Sequence, residues 1–159
     1  KTYWAIVIGL PKPTAGQIDL PLKKTGINDF EIMRPADAKE HGAEPAETAY
    51  ALISHAGQRA SWLALRPFTG RTHQLRAHMK AIGHPILGDP KYGDEKSAEL
   101  SGPLKLQLHA RRIELDHPSG GKLIVEAPIS PEMRAGFQHF GFEEAEADPD
   151  PFAGVRRMR

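Results

Sequence analysis

Two strand-like runs that flank a short turn carry the clearest fold signal in the sequence. In the second run, 60–66, Leu63 and Leu65 alternate with residues of other kinds, as expected of a β-strand with two different faces. Gly57-Gln58 separates this run from the first one, 48–55, and the arrangement predicts a β-hairpin. Because the two strands of a hairpin pair antiparallel, the chain must contain antiparallel sheet at this point.

Further strand-like runs extend the predicted sheet. The run 2–9 is apolar on both faces, which predicts a central strand. The other predicted strands are a short one around 17–22, then 104–109, 112–115 and 122–127, with a turn at 117–121 before the last. Residues 10–47 are otherwise rich in Pro, Gly, Lys and Asp and predict mainly loop. Hairpins with a few helices between them predict an α+β fold, with a mixed, mainly antiparallel sheet flanked by helices.

Two helices are predicted from periodicity and end signals. The segment 72–82 has an apolar stripe of Leu75, Met79 and Ile82, a polar stripe of His73, Arg76 and Lys80, and Gly83 at its end. A second helix begins at Ser130-Pro131-Glu132, which supplies a cap, a proline at the first helical position and an acid in the first turn. Its buried stripe is Met133, Phe137 and Phe140, and Gly141 ends it.

Length and composition limit the classes of protein to which the chain can belong. The chain has 159 residues, about one domain, and is 40% apolar and 26% charged, as in an ordinary folded protein. We expect residues 1–142 to hold the core and residues 143–159, acidic and then basic, to form a mobile tail that buries little. The chain has no cysteine, which excludes a disulfide scaffold and fits a cytoplasmic protein. No apolar run approaches the roughly 20 residues needed to span a bilayer.

The charge is unevenly distributed, although the net charge is only +1. Residues 1–58 carry a net charge of −1, residues 59–112 carry +6, and residues 113–159 carry −4. A local basic surface of this kind is typical of a polyanion binder. A solvated basic face without a ligand would give the same pattern, so charge alone leaves both interpretations open.

The histidines do not predict a metal site. His73 and His78 are five residues apart on the predicted helix and so point about 140° apart, and His84 and His109 have no acidic or thiol partner nearby. The sequence also lacks a Gly-x-Ser-x-Gly elbow and the glycine-rich loops that bind nucleotides. Gly70-Arg71-Thr72 opens a helix, and this corner is either an anion site or a plain strand-to-helix turn.

One dense segment, residues 66–93, carries a specific motif. It reads RPFTGRTHQLRAHMKAIGHPILGDPKYG. This resembles the signature of the RluA-type pseudouridine synthases, Gly-Arg-Thr-His-Gln-Leu/Ile-Arg followed by Gly-His-Pro-Ile-Leu-Gly-Asp-x-x-Tyr-Gly. Weaker flanks are similar to the same family in the same order: Lys1-Thr2-Tyr3-Trp4-Ala5, Leu108-His109-Ala110, His117-Pro118 and Ala127-Pro128. The resemblance spans Lys1 to about Phe140.

The resemblance implies an isomerase with the pseudouridine synthase fold and with no cofactor or metal. Such an enzyme flips a uridine out of ribosomal or transfer RNA, breaks its glycosidic bond and rejoins the base to the sugar through carbon. Tyr3 matches the tyrosine that packs against the flipped base, and Arg76 matches the arginine that pairs with the catalytic aspartate. Leu108 matches a position in the pocket wall, and the candidates for binding RNA are Arg71, His73 and Lys80.

The family's catalytic aspartate has no counterpart in this sequence. In the family it stands in a His-Arg-Leu-Asp-x-x-Thr-Ser-Gly segment upstream of the tyrosine strand, and none of the aspartates of this chain has that context. Asp89, in Leu-Gly-Asp-Pro, matches a structural loop. We therefore expect a C-terminal part of such a catalytic domain, inactive alone, with the aspartate upstream of Lys1. The alternatives are a noncatalytic RNA-binding module that keeps the fold, and a soluble α+β domain with a fortuitous basic corner.

Overall fold

The computed structural model describes residues 1–155 as one antiparallel sheet, a small second sheet and helices on both faces. The strands are β1 (Thr2–Ile8), β2 (Ala15–Asp19), β3 (Leu22–Thr25), β4 (Ile32–Pro35), β5 (Glu47–Ala56), β6 (Ala60–Pro67), β7 (Leu108–Asp116) and β8 (Lys122–Glu126). The α-helices are α1 (Gln74–Ala81), α2 (Glu95–Ser101) and α3 (Pro131–Phe140), and short 3-10 turns lie at Asn28–Phe30 and Glu144–Glu146. None of the described helices is long and apolar enough to cross a membrane.

The main sheet has the strand order β2-β5-β6-β1-β7-β8, and β3 pairs with β4 in the second sheet. Every neighbouring pair in this part of the chain is antiparallel, so the α+β class is confirmed and no parallel pair is present among the described strands. β5 and β6 form the predicted hairpin around Gly57-Gln58. β1 lies between β6 and β7, which confirms that it is a central strand.

Each face of β1 builds a separate core, because alternate side chains of a strand point to opposite sides of the sheet. Trp4 and Ile6 pack with Trp62 and with Phe137 of α3, and the rings of Trp62 and Phe137 lie 4.5 Å apart. The opposite core contains Ala5 and Val7 of β1, together with the α1 stripe of Leu75 and Met79. This second face is the one that carries the candidate site.

The structure differs from the sequence prediction at three elements: α1, α2 and β7. α1 begins at Gln74 instead of residue 72, and His73 precedes it in a left-handed conformation with φ 50°. α2 was not predicted, and it begins at a capping box in which Asp94 accepts a hydrogen bond from the Ser97 N–H and the Ser97 hydroxyl accepts one from the Asp94 N–H. The runs predicted at 104–109 and 112–115 are one strand, β7, which begins only at Leu108.

Most side chains of residues 143–155 are exposed, with Phe152 as the buried exception. Phe152 is only 6% exposed and packs in the core with Trp4 and Trp62, and the guanidinium of Arg66 lies 4.3 Å from the centre of its ring. Because burial of an aromatic ring is strongly favourable, Phe152 packs in the core although its neighbours in the chain are mostly polar. The boundary at residue 142 stays a prediction, and residues 156–159, the basic end of the predicted tail, lie outside the described residues.

Candidate active site

A pocket of about 410 Å³ opens between the start of β1, the segment that joins β6 to α1, and the segment that leads into β7. It brings together four of the five predicted catalytic and RNA-binding residues: Tyr3, Arg71, His73 and Arg76. Lys80, on the last turn of α1, is exposed but does not line this pocket. The pocket is thus the place where the motif residues converge.

One wall of the pocket is apolar. Tyr3 is half-buried on the central strand, where it pairs with Leu65 on one side and Ala110 on the other. Leu75, Leu106 and Leu108 complete the wall, as the resemblance implies for Leu108. An aromatic ring among aliphatic side chains offers a flat surface on which a nucleic-acid base can stack.

Arg76 is held at the pocket by a bidentate ion pair with Asp89. Its Nε donates to Oδ2 at 2.9 Å, and its Nη2 donates to Oδ1 at 2.7 Å. Oδ1 also accepts hydrogen bonds from the backbone N–H groups of Lys91 at 3.0 Å and Tyr92 at 3.1 Å. Burial alone would raise the pKa of Asp89, but the hydrogen bonds from Arg76 and these amides outweigh it and lower the pKa. The hydrogen bond to Asp89 likewise raises the pKa of Arg76, so both groups are charged.

Asp89 orients Arg76 but cannot itself reach a substrate. Its side chain is 0% exposed, whereas that of Arg76 is 15% exposed. Both carboxylate oxygens are occupied, and Asp89 is not part of the pocket wall. Within residues 1–155, Nη1 of Arg76 makes no hydrogen bond, so this end of the guanidinium stays available to a ligand or to another carboxylate.

A buried polar network fixes the loop that forms the pocket rim. The Gln74 side chain accepts hydrogen bonds from the Thr69 hydroxyl at 2.7 Å and the Arg71 N–H at 3.1 Å, and it donates to Thr48 at 3.0 Å. Thr48 lies 2.8 Å from Nδ1 of His78, whose Nε2 lies 2.9 Å from the Leu20 carbonyl. Burial lowers the pKa of His78 despite that carbonyl, so this buried histidine is neutral. Both of its ring nitrogens are occupied within the protein, so His78 stabilises this network.

The two predicted cations outside the Asp89 pair have different surroundings. Arg71 donates from Nε to the Pro45 carbonyl and from Nη1 to Glu44, both at 2.7 Å, so its charge is already compensated. Lys80 is exposed and has no ion pair within the part of the chain that the structure describes. Among residues 1–155, no three His, Asp or Glu side chains gather closely enough to hold a metal ion.

Sequence reasoning missed two residues that organise this site. Asp89, thirteen positions after Arg76, is its partner, and Tyr92 lies against both His73 and Arg76. The hydroxyl of Tyr92 is 3.0 Å from Nδ1 of His73. The only sequence signal for either residue is its place in the Gly-Asp-Pro-Lys-Tyr-Gly run.

A solved structure shares both this fold and part of the sequence. Human RNA pseudouridylate synthase domain containing 1 superposes with a TM-score of 0.70 and 27% identity, over 85% of this chain and 57% of that one. The fold is therefore that of a pseudouridylate synthase domain.

Sequence comparison assigns the family. The profile of the RNA pseudouridylate synthase family matches residues 1–81, and the chain belongs to that family. It is 40% identical over 121 residues to the dual-specificity RNA pseudouridine synthase RluA of Salmonella typhi, covering 76% of this chain and 52% of the relative. It is 33% identical over 137 residues to the ribosomal large subunit pseudouridine synthase C of Vibrio parahaemolyticus, covering 84% of this chain and 41% of that relative. The chain thus spans about half the length of these curated relatives.

Proposed function

We propose that this chain is the base-binding portion of an RNA pseudouridine synthase that acts on uridine in ribosomal or transfer RNA. The observation that carries the proposal is the pocket that Tyr3 lines together with Arg76, whose guanidinium is fixed by Asp89. The names of the relatives, one of them a ribosomal large subunit enzyme, support the class of substrate. A cytoplasmic location stays a prediction.

The proposed reaction is an isomerisation. The bond from the sugar C1′ to N1 of uracil breaks, the base turns, and a bond from C1′ to C5 forms. The C5 proton leaves and N1 takes up a proton, so the reaction needs no oxidant, reductant or metal. In this scheme Tyr3 replaces the stacking that the flipped base loses when it leaves the RNA.

The catalytic carboxylate, in this proposal, belongs to a segment outside residues 1–159. Asp89 is sealed by four hydrogen bonds, and no carboxylate lines the pocket within the described residues. The free Nη1 of Arg76 is the group that would receive an incoming aspartate and keep it ionised. The same arginine would then hold two carboxylates, Asp89 for positioning and the incoming one for chemistry.

The same observation supports a second candidate function for the chain on its own. A pocket without an accessible carboxylate can bind a base but lacks the group that starts the reaction. The isolated chain would then be a noncatalytic RNA-binding module. RNA binding without turnover, both in this chain and in the complete product of its gene, would favour this candidate.

Tritium release tests the proposed enzyme, because the hydrogen at C5 of uridine is lost to water when the new bond forms. RNA labelled at C5 is incubated with the complete product of the gene that encodes this chain. The Tyr3→Leu variant removes the ring but keeps an apolar side chain. Loss of base stacking, worth about 1–3 kcal/mol, predicts a rate roughly 5- to 150-fold lower.

The matched control is Lys122→Gln, because Lys122 is exposed on β8 and, among residues 1–155, forms an ion pair only with Asp116. Its rate should equal that of the unaltered protein. Equal rates for Tyr3→Leu and the control would contradict the assignment of the pocket. Absence of tritium release from the unaltered complete protein would reject the enzyme in favour of the binding module.

A further inference from the structure

Tyr92 lies on the Asp89 loop with its hydroxyl enclosed by protein. The residue is 1% exposed, and its N–H donates to Asp89. Two groups meet its hydroxyl oxygen: the N–H of Met33 on β4, at 2.9 Å, and Nδ1 of His73, at 3.0 Å. The guanidinium of Arg76 lies 5.1 Å from the centre of its ring. Tyr92 therefore links the small second sheet to His73 by hydrogen bonds to both.

Donor counting determines the direction of these hydrogen bonds. A backbone N–H can only donate, so the Tyr92 oxygen accepts from Met33. The hydroxyl has a single hydrogen, and Nδ1 of His73 is its only other partner among residues 1–155. That hydrogen is therefore donated to Nδ1, which must carry a lone pair, and in a neutral imidazole the ring proton then resides on Nε2.

The protonated form of His73 is disfavoured in this arrangement. An imidazolium would donate from Nδ1 to the Tyr92 oxygen and leave the buried hydroxyl hydrogen without an acceptor. Burial, followed by the positive charges of Arg76 and Lys91, lowers the pKa of His73, although the carboxylate of Asp89 acts in the opposite sense. The neutral form is the one that fits the surroundings.

The backbone conformation of His73 is independent evidence that the surrounding structure holds this residue in place. It adopts φ 50°, a left-handed conformation that side chains with a Cβ seldom adopt, at the residue just before α1. Residues in such conformations persist only where the surroundings hold them, and they cluster at functional sites. His73 lines both the pocket and the adjoining cleft next to Lys24 and Lys91.

We propose that Tyr92 is a positioning residue whose hydroxyl, oriented by the Met33 N–H, holds His73 in the Nε2–H form. His73 then presents a hydrogen-bond donor, and no acceptor, at the mouth of the pocket. The Nε2 group has no partner within residues 1–155, so it is free to donate to an oxygen of the RNA. This last step rests on the proposed function, whereas the tautomer does not.

The tautomer is read from long-range ¹H–¹⁵N spectra of the histidine rings of this chain at pH 7, without RNA. The signals of the His73 ring are identified as those that are missing from the spectrum of the His73→Gln variant. The expected result is a bare Nδ1 and a protonated Nε2. A protonated Nδ1, or an imidazolium at this pH, would overturn the proposal even if no variant of Tyr92 folds.

Tyr92→Phe removes the hydroxyl and keeps the ring. It should abolish the single tautomer, so that both nitrogen shifts of His73 move towards an average of the two forms. Tyr50→Phe is the matched control, because the Tyr50 hydroxyl donates to the Pro13 carbonyl elsewhere. An unchanged His73 spectrum in Tyr92→Phe would contradict the positioning role.

RNA affinity tests the donor separately. Gln keeps an N–H donor at about the same distance from the backbone, whereas Leu does not. His73→Leu should weaken binding by about three- to tenfold, the usual effect of one lost hydrogen bond, and His73→Gln should restore most of it. Equal losses would refute the donor role. Complete absence of RNA binding in the unaltered protein would count against the proposed function, while the spectrum alone would still decide the tautomer.

Discussion

Asp89→Asn is the substitution whose effect the structure specifies most fully. Asn has nearly the same shape, and its Oδ1 can still accept from the N–H groups of Lys91 and Tyr92. Its amide nitrogen, however, replaces an oxygen that accepts from Arg76. The change therefore removes a buried charge and one acceptor while leaving the packing almost untouched.

The magnitude follows from the burial of the pair. Removing one partner of a buried ion pair costs about 3–5 kcal/mol of unfolding free energy, because the other charge stays buried without compensation. The Asp89 side chain is fully buried and that of Arg76 is 15% exposed, so little solvent screening applies. Since Asn keeps three of the four hydrogen bonds and loses only the one from Nε of Arg76, we expect the lower end, about 3 kcal/mol. For a chain of this size that corresponds to a melting temperature roughly 6–12 °C lower.

Urea unfolding followed by circular dichroism measures this loss. The matched control is Asp116→Asn, which breaks the ion pair with Lys122, where the two side chains are 86% and 58% exposed. Exposed pairs contribute less than about 1 kcal/mol. The pKa of Asp89 lies below its ordinary value of 3.8, so its contribution is complete above that pH and is lost as the pH falls through the lowered pKa. Equal losses in the two variants at neutral pH would refute this assignment of Asp89.

Three further predictions concern stability and RNA binding. Gly88→Ala should lower the free energy of unfolding by at least about 2 kcal/mol, because the new Cβ would collide with the Lys105 backbone. Gly83→Ala, at a similar positive φ but in open space, should lower it by about 1 kcal/mol, and urea unfolding measures both. Stability should fall as the pH drops below 6.5, the ordinary pKa of histidine, because the lowered pKa of His78 favours its neutral form, and His78→Gln should flatten this pH profile. Lys80→Gln should reduce the slope of log affinity for RNA against log salt concentration by about 0.7–0.9. Arg71→Gln should reduce this slope by less, because Glu44 already compensates the charge of Arg71. Filter binding at several salt concentrations measures both slopes.

The sequence predicted those elements whose signals are local. The hairpin of β5 and β6 needs only alternation and a turn, and α3 carries its cap, first-turn proline and terminal glycine within the chain segment itself. Both are confirmed. The start of α1 was placed two residues early, because Gln74 uses its side chain to hold Arg71 N–H and so keeps the preceding loop out of the helix.

The contacts that organise the pocket could not be predicted, because they join distant parts of the chain. Met33 and Tyr92 are 59 residues apart, and nothing in the intervening sequence indicates that they meet. Phe152 looked like a lone aromatic in a polar tail, but the fold brings it to the core beside Trp4. Motif similarity identified Arg76 as important, whereas its buried partner Asp89 became evident only from the geometry.

In the proposed enzyme, the pocket binds the uridine while the catalytic carboxylate comes from outside this sequence. The most direct measurement is tritium release from C5-labelled RNA by residues 1–159 alone and, in parallel, by the complete product of the gene. We predict no turnover above background for the chain alone and full turnover for the complete product. Turnover by the chain alone would contradict the claim, because it would require a catalytic group among residues that the structure shows to be sealed or absent from the pocket.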